Sequence, residues 1–391
     1  MSSENSSQNN VSPLLLRRSV FISAGEPSGD LHSSALMSEL KLQLSGKDIV
    51  FNGLGGSLMI SEGLNALYHI KDLATIGFTD VIKKYSFFKK ALRNSADYIK
   101  KNSPDTVILV DYPGFNLRLA EEIRKFYDKK IIYYISPQLW AWHEKRVFKV
   151  KKYIDLMLVL FPFEVDFYSK YGVNAKFTGH PLVKRIDEFI EANPKSQTGH
   201  PNKKIITILP GSRKDEVKNH LPVLIDTISE LRKQVDIVVN ISIAPGLDKV
   251  FDEFRDNLSG CNLTTENPYK LILESDLVLT KAGTSTMECA LLGTPHLIFY
   301  KTFPLNYYLL KPIVKVDKLG IVNILLGEDV VMEFIQNEFT SKKLAIESLK
   351  ILNDTRYRNK MIESFGKVKQ VLGGKDASAE AAKLIIKTAA L

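Results

Sequence analysis

Two acidic positions stand where parallel α/β proteins usually keep bare backbone. The stretch "SAGEPSGD", 23–30, follows an apolar run from Val20 to Ser23. It leads into a helix-like segment with Leu31, Ala35, Leu36 and Leu40 on one side. A turn of this kind normally wraps a phosphate in N–H groups. Glu26 and Asp30 would repel a phosphate, whereas carboxylates accept from hydroxyl and amide donors. Asp30 also fits the N-cap of a helix beginning at Leu31, and that is its favoured reading. Glu26 precedes a proline and caps poorly, so binding leads there. Asp111 ends the apolar run "TVILVD" and should lie at the carboxyl edge of a parallel sheet, where ligands of such sheets gather. Its plain alternative is a turn-former ahead of Pro113-Gly114; Asn116 is better placed to cap the next helix.

The second half carries turns suited to an anion. In "ITILPGSRKDEV" a strand meets a tight turn and a helix; Gly211 allows close backbone approach, with Ser212 beside it and Arg213 near the helix start. A helix N-terminus plus a guanidinium can clamp a diphosphate, though a surface arginine would read the same way. In "DLVLTKAGTSTMECALLGTP", Gly283, Thr284, Ser285 and Thr286 offer N–H and hydroxyl donors at a positive dipole end. Glu288 one turn on could hold ribose hydroxyls, although Ser285-x-x-Glu288 also matches a capping box. Both turns fall in one half, and the pairing favours a nucleotide diphosphate. No DxD occurs, so no metal is expected; the helix dipole and basic residues would stabilise a leaving group instead. No cofactor is indicated.

Short Val/Ile/Leu runs alternating with helix-like stretches must position these residues. Near-continuous apolar runs suit strands buried on both faces, hence parallel sheets. They occur at Val20–Ser23, 49–53, Val107–Val110, 131–135, 156–161 and 175–178, then at 205–209, 237–243, 277–280 and 296–299. The expected fold is α/β, two Rossmann-like doubly wound domains facing a cleft. The expected boundaries are a disordered Ser/Asn-rich tail at 1–18, domains at 19–186 and 205–345, a polar linker at 187–204, and C-terminal helices at 346–391. Those helices either pack back on the first domain or exchange between chains of a homodimer.

The chain has 391 residues, 45% hydrophobic and 25% charged, with a net charge of +9. That balance admits nucleic acid, an anionic membrane or anionic substrates. The basic residues are dispersed and no nucleic-acid motif stands out, so no nucleic-acid partner is expected. No apolar run reaches membrane-spanning length, and "PLLLRR" is too short for a signal core, so a cytoplasmic protein is expected. Cys261 and Cys289 read as reduced thiols.

The stretches "SAGEPSGD", "DLATIGFTDV", "VDYPGFN", "YYISPQLWAWHEKRV", "LFPFE", "TGHP", "LPGSRKDEV", "AGTSTMECALLGTP" and "VNILLG" run in order from about residue 20 to 340. Together they resemble the lipid-A-disaccharide synthases, metal-independent inverting glycosyltransferases of the GT-B type. The resemblance implies that UDP-2,3-diacylglucosamine donates its sugar to the 6-hydroxyl of 2,3-diacylglucosamine 1-phosphate. A β-(1→6) disaccharide forms and UDP leaves. It implies a donor site in the second domain, Asp111 as general base with Glu26 in reserve, and Asn323 as a sugar or acceptor residue. The chain departs from the family pattern at Ala282, Val322 and Gly114.

Acylated substrates direct attention to the aromatic segments. Trp140 and Trp142 lie two apart; core packing suits one of the pair, the other reading is an apolar wall for acyl chains beside Lys145 and Arg146, and Trp142 is the one expected at the sugar or acceptor site. His143 reads as structural or solvent-facing. Wound on a helix, Phe78, Val81, Ile82, Tyr85, Phe88 and Leu92 share a face, while Phe87 falls among the lysines. A core helix is the ordinary reading. A helix lying on anionic lipid, with Phe78, Val81, Ile82, Phe87 and Phe88 in contact, is the favoured one, which places the protein at the inner face of the cytoplasmic membrane. Two other functions share these features: a UDP-N-acetylglucosamine 2-epimerase-like enzyme, and a non-catalytic UDP-binding protein at the membrane surface.

Overall fold

A computed structural model describes residues 17–45, 48–74, 81–194, 203–303, 307, 311, 315–374 and 376–391, apart from the side chains of 73–74 and 81–85. The first half forms a sheet of seven parallel strands in the order β3-β2-β1-β4-β5-β6-β7. They are β1 (Arg18–Ala24), β2 (Ile49–Gly55), β3 (Leu64–His69), β4 (Thr106–Val110), β5 (Lys130–Tyr134), β6 (Leu156–Val159) and β7 (Ala175–Phe177). The second half forms a six-stranded parallel sheet ordered β10-β9-β8-β11-β12-β13. Its strands are β8 (Lys204–Leu209), β9 (Ile237–Ser242), β10 (Asn262–Thr264), β11 (Leu277–Lys281), β12 (His296–Tyr300) and β13 (Glu333–Ile335).

The interior strands are the near-continuous apolar runs, and β4 is buried along its whole length. Burial on both faces by flanking helices leaves no face for polar alternation. Three strands lie outside the apolar runs: β3, β10 and β13. All three are sheet edges. With one neighbour and a wetter face, "LNALYH", "NLT" and "EFI" carry polar residues that hide them from such a reading.

Both sheets reverse strand order once, between β1 and β4 and between β8 and β11. Ala24 pairs with Val110 and Leu209 with Thr280, so each pair of strands ends level. The loops leaving those ends diverge to opposite faces and open a crevice. Five helices start with proline in the first turn, at Pro27, Pro113, Pro162, Pro181 and Pro268. The ring presets helical φ, and the missing N–H is one that no helix start can pair internally.

The helix Pro181–Ala192 runs into the stretch read from sequence as a linker, and β8 begins at Lys204. Leu182, Val183 and Ile186 pack into the core of the second sheet. The helix Thr355–Leu372 also covers that sheet, stacking Phe365 on His296. After Gly373 the chain crosses over, and Ala381, Ala382 and Ile385 of the helix Ala377–Ala389 join the core of the first sheet. Lys184–Asp376 (2.6 Å) and Lys369–Asp187 (2.5 Å) tie the crossover to the helix Pro181–Ala192.

Candidate active site

At the β1/β4 switch point the chain turns without a glycine-rich cradle. Asp111 and Tyr112 both adopt left-handed backbone, with φ of 46° and 47°. Non-glycine residues rarely do so, and strain of this kind persists only where the surroundings enforce it. Asn116 is fully buried and supplies that enforcement. Its Nδ2 donates to the carbonyls of Asp111 (2.8 Å) and Val110 (3.1 Å), and its Oδ1 accepts from the Ser23 hydroxyl (2.8 Å). The Tyr133 hydroxyl donates to the Asp111 carbonyl as well (2.5 Å). The Tyr112 ring lies against Gly25, where a Cβ would come within 2.1 Å of it. Glu26 is exposed at the start of the helix Pro27–Gln43 and makes no capping bond. Burial first, and the Glu26 charge second, push the Asp111 carboxyl up to about 6, against a lowering bond from the Tyr112 N–H.

The β8/β11 switch point is built the other way. Gly211 has a φ of 133°, and a Cβ there would lie 2.9 Å from Glu216 Oε2. Left-handed backbone and close approach both favour glycine at this position. Arg213 begins the helix Lys214–Arg232, largely exposed, and donates to Glu216 Oε1 (3.0 Å). The buried His220 ring anchors the turn: Nδ1 lies 2.7 Å from the Pro210 carbonyl and Nε2 accepts from the Lys301 N–H (3.0 Å). Burial pulls its pKa below the usual value, in keeping with a neutral ring. At the second turn Gly283 leads into the helix Thr284–Leu291 with Thr284 exposed, so first-turn N–H groups point out of the strand end. Glu288, half-buried, accepts from the Tyr269 hydroxyl (3.3 Å); burial raises its pKa despite that bond and the nearby Arg185.

The lipid-A-disaccharide synthetase family model matches residues 20–387. The chain belongs to the lipid-A-disaccharide synthase family. It is 34% identical to the lipid-A-disaccharide synthase of Trichlorobacter lovleyi, over 94% of this chain and 96% of the relative. It is 35% identical to lipid-A-disaccharide synthase 1 of Legionella pneumophila over the same shares. Membership makes it a glycosyltransferase of lipid A biosynthesis. Among solved structures it resembles a putative UDP-N-acetylglucosamine 2-epimerase from Listeria monocytogenes (TM-score 0.65, 11% identity, covering 95% of this chain and 96% of that one). It also resembles MurG of Acinetobacter baumannii (TM-score 0.57, 14% identity, 95% and 99%). At those identities the likeness shows the fold alone, two Rossmann-like domains of the GT-B kind.

Within this lipid-A-disaccharide synthase family member, several residues sit differently from their sequence reading. Asp30 does not cap its own helix, which begins earlier, at Pro27. It is buried and accepts from the N–H groups of Gly56 (2.8 Å), Met59 (3.0 Å) and Leu58 (3.2 Å), capping the neighbouring helix Ser57–Ser61. Asn116 lies inside the helix Pro113–Ile123 rather than at its cap. Ser285 forms no capping box; Gly283 holds the N-cap position, and the Ser285 hydroxyl bonds Thr280 (2.7 Å).

The sugar-site reading of Asn323 fails on its bonding. It is buried, and its amide donates to the Val331 carbonyl (2.7 Å) and Glu333 Oε1 (2.8 Å) and accepts from Val330 (2.9 Å) and Val331 (3.0 Å). Nothing is left to offer a sugar. The lipid-contact reading fails for Phe87 and Phe88, which face protein. Phe87 packs edge-on to Tyr68 of β3 and Phe88 to Phe115, with Arg118 over the Phe88 ring. Phe78 and the side chains of Val81 and Ile82 lie outside the described residues.

The two tryptophans differ in exposure and contacts. Trp140 donates to Glu164 Oε1 (3.1 Å) and packs edge-on to Phe163, so "SPQLWAW" and "LFPFE" meet. Trp142 is exposed at 45%. Four residues near the turns escaped the sequence reading: Lys281, Glu216, Tyr269 and His220. Only Glu216, two residues past the Arg213-Lys214 pair, had a local signal, as a first-turn acid of its helix.

Proposed function

We propose that this enzyme transfers 2,3-diacylglucosamine from UDP to the 6-hydroxyl of 2,3-diacylglucosamine 1-phosphate, giving the β-(1→6) disaccharide 1-phosphate and UDP. The supporting observation is the opposite charge of the two switch points, one centred on Asp111 and Glu26, the other on Arg213 and a helix start. Inversion requires the acceptor oxygen to attack opposite the departing diphosphate. Asp111 takes the hydroxyl proton as that bond forms. A carboxyl raised to about 6 is ionised at neutral pH yet basic enough to draw a proton in the transition state. The left-handed turn fixes it to the sheet, so little reorganisation accompanies the transfer. UDP departs toward Arg213, Gly211, Ser212 and the N–H groups of Gly283, Thr284 and Ser285, where a dipole and a cation meet developing negative charge. Glu288, oriented by Tyr269, accepts from the ribose hydroxyls.

Both substrates carry acyl chains, so the enzyme works at an anionic membrane surface. Among the described residues no helix is long and apolar enough to cross a membrane. Exposed Trp142 and Phe148, near Lys145, Lys149 and Lys152, supply an amphipathic contact. The deciding assay incubates purified protein with UDP-2,3-diacylglucosamine and the 1-phosphate acceptor in mixed micelles and follows disaccharide and UDP. Disaccharide in equal amount to UDP is expected. UDP binding with no disaccharide, or conversion of UDP-N-acetylglucosamine to its 2-epimer, would overturn the reading.

A further inference from the structure

Lys281 is the last residue of β11, and its ammonium stands between the two donor-side turns. It lies 3.2 Å from Glu216 Oε1, the oxygen that also accepts from Arg213. It lies 3.7 Å from where a Gly283 Cβ would be, at the amino end of the helix Thr284–Leu291. The Lys281 side chain is 19% exposed and that of Arg213 76%. One cation is thus held at the floor of the crevice and the other reaches in from its rim. Glu216 is itself 8% exposed, and its Oε2, packed against Gly211, has no hydrogen-bond partner among the described residues.

A half-satisfied buried carboxylate beside two cations is an expensive arrangement for stability alone. Burial would raise the Glu216 pKa, but Lys281 and Arg213 outweigh it and hold it below the usual range. The cluster therefore carries two positive charges and one negative, a net positive centre where a dianionic diphosphate is to sit. Lys281 has three N–H donors and Arg213 five, so each can keep its bond to Glu216 and still donate to phosphate.

We propose that Lys281 is a second diphosphate-binding cation of the donor site, and that Glu216 is a positioning residue holding Lys281 and Arg213 at the spacing of two adjacent phosphates. The inference rests on the nucleotide-diphosphate reading of these turns. In the transfer step Lys281 stays protonated throughout. The bond from the anomeric carbon to the β-phosphate oxygen breaks, its electron pair stays on UDP, and the lysine stabilises the charge without giving up a proton. The Lys281 ammonium also stands over the Tyr300 ring, 5.9 Å from its centre.

The test is calorimetric titration of the purified full chain with UDP and, separately, uridine. Lys281→Met should lower UDP affinity roughly ten- to hundredfold, the worth of a charge-assisted hydrogen bond, and leave uridine affinity unchanged. Lys281→Arg should restore most of the loss. Glu216→Gln should lower the ratio of UDP to uridine affinity in the wild-type background and lower it less in the Lys281→Met background, where only its hold on Arg213 remains. Equal UDP affinity in wild type and Lys281→Met, or a parallel loss for UDP and uridine, overturns the assignment, the second because the lysine would then merely support the turn. Failure of the wild-type chain to bind UDP at all would instead remove the donor-site reading beneath it.

Discussion

The two sheets share a topology, and the chemistry at their switch points is inverted. In the first, the turn is made by two strained non-glycine residues and carries carboxylates; a buried asparagine holds it. In the second, the turns are glycines and carry cations; a buried neutral histidine and a carboxylate hold them. The difference follows from what each must approach. Backbone N–H groups wrap a phosphate closely where no side chain intrudes, which suits glycine at Gly211. A proton acceptor must project a side chain from a rigid point, which calls for Asp111 at a strand end. In the proposed mechanism one fold unit thus supplies a proton sink or an anion hole according to the residues at one pair of strand ends, and a direct displacement needs one of each.

The sharpest way to break this comparison is to remove the proton sink alone. Asp111→Asn keeps the side-chain size, and asparagine tolerates left-handed backbone. Turnover should fall by ~10²–10⁴-fold, while UDP affinity stays within a factor of about two. Steady-state kinetics beside UDP titration separate the two quantities. If turnover stays above about a tenth of wild type, the first switch point is not the base.

Removing the cation at the rim should produce the mirror result. Arg213→Ala should weaken UDP binding by roughly 1.5–3 kcal/mol, the worth of a charge-assisted hydrogen bond, and leave the pH dependence of turnover where it was. A shifted pH profile with unchanged UDP affinity would mean that the halves are not chemically separate.

The first switch point should also carry a stability penalty that the variant relieves. Asp111 has its folded pKa raised to about 6 from 3.8. The folded state therefore binds its proton more tightly than the unfolded state. The associated stability is fully present below pH 3.8 and is lost as pH rises through about 6. At pH 8 the ionised Asp111 destabilises the native state, so Asp111→Asn should raise the unfolding free energy there by up to roughly 3 kcal/mol. The gain should shrink toward nothing near pH 4. Urea denaturation at the two pH values reads this difference; a variant less stable than wild type at pH 8 would contradict the burial argument.

How much of this was legible in the residues depended on whether the signal was local. Interior strands announce themselves because both faces are buried, and Gly211 because its left-handed backbone and the close Glu216 side chain leave no room for another residue. The edge strands β3, β10 and β13 do not, although the edge strand β7 does, and one such omission has a consequence: with β3 unseen, Phe87 shows no partner and is read as facing lipid, when Tyr68 is what it packs against. Asp30 and Ser285 were read as caps of their own helices because capping motifs are local. The one caps a helix 26 residues away and the other bonds the preceding strand. Asn323 takes its sugar or acceptor reading from the resemblance and by sequence alone passes as a loop or cap residue; its partners arrive from the loop and strand that follow, where no local pattern shows them. Lys281 draws no reading from the sequence, since nothing near it there reveals Glu216.

The smallest expected effect bears on how the two carboxylates of the first half divide their work. Glu26 is exposed and sits in a loop, so it acts on Asp111 through charge and not through contact. Like charge nearby disfavours ionisation, and this is the second cause of the raised pKa after burial. With deprotonated Asp111 as the proposed base, kcat/KM should rise with pH up to about 6 and then level. Glu26→Gln removes the repulsion and leaves the burial. The acid limb should therefore move to lower pH yet stop above the ordinary 3.8 of an aspartate, since the larger cause remains. The plateau should fall less than for Asp111→Asn. A limb that stays in place would show that water screens Glu26 from the base. A plateau lost as deeply as in Asp111→Asn would transfer the base role to Glu26, and the rigid strand-end turn would then serve only to shape the crevice.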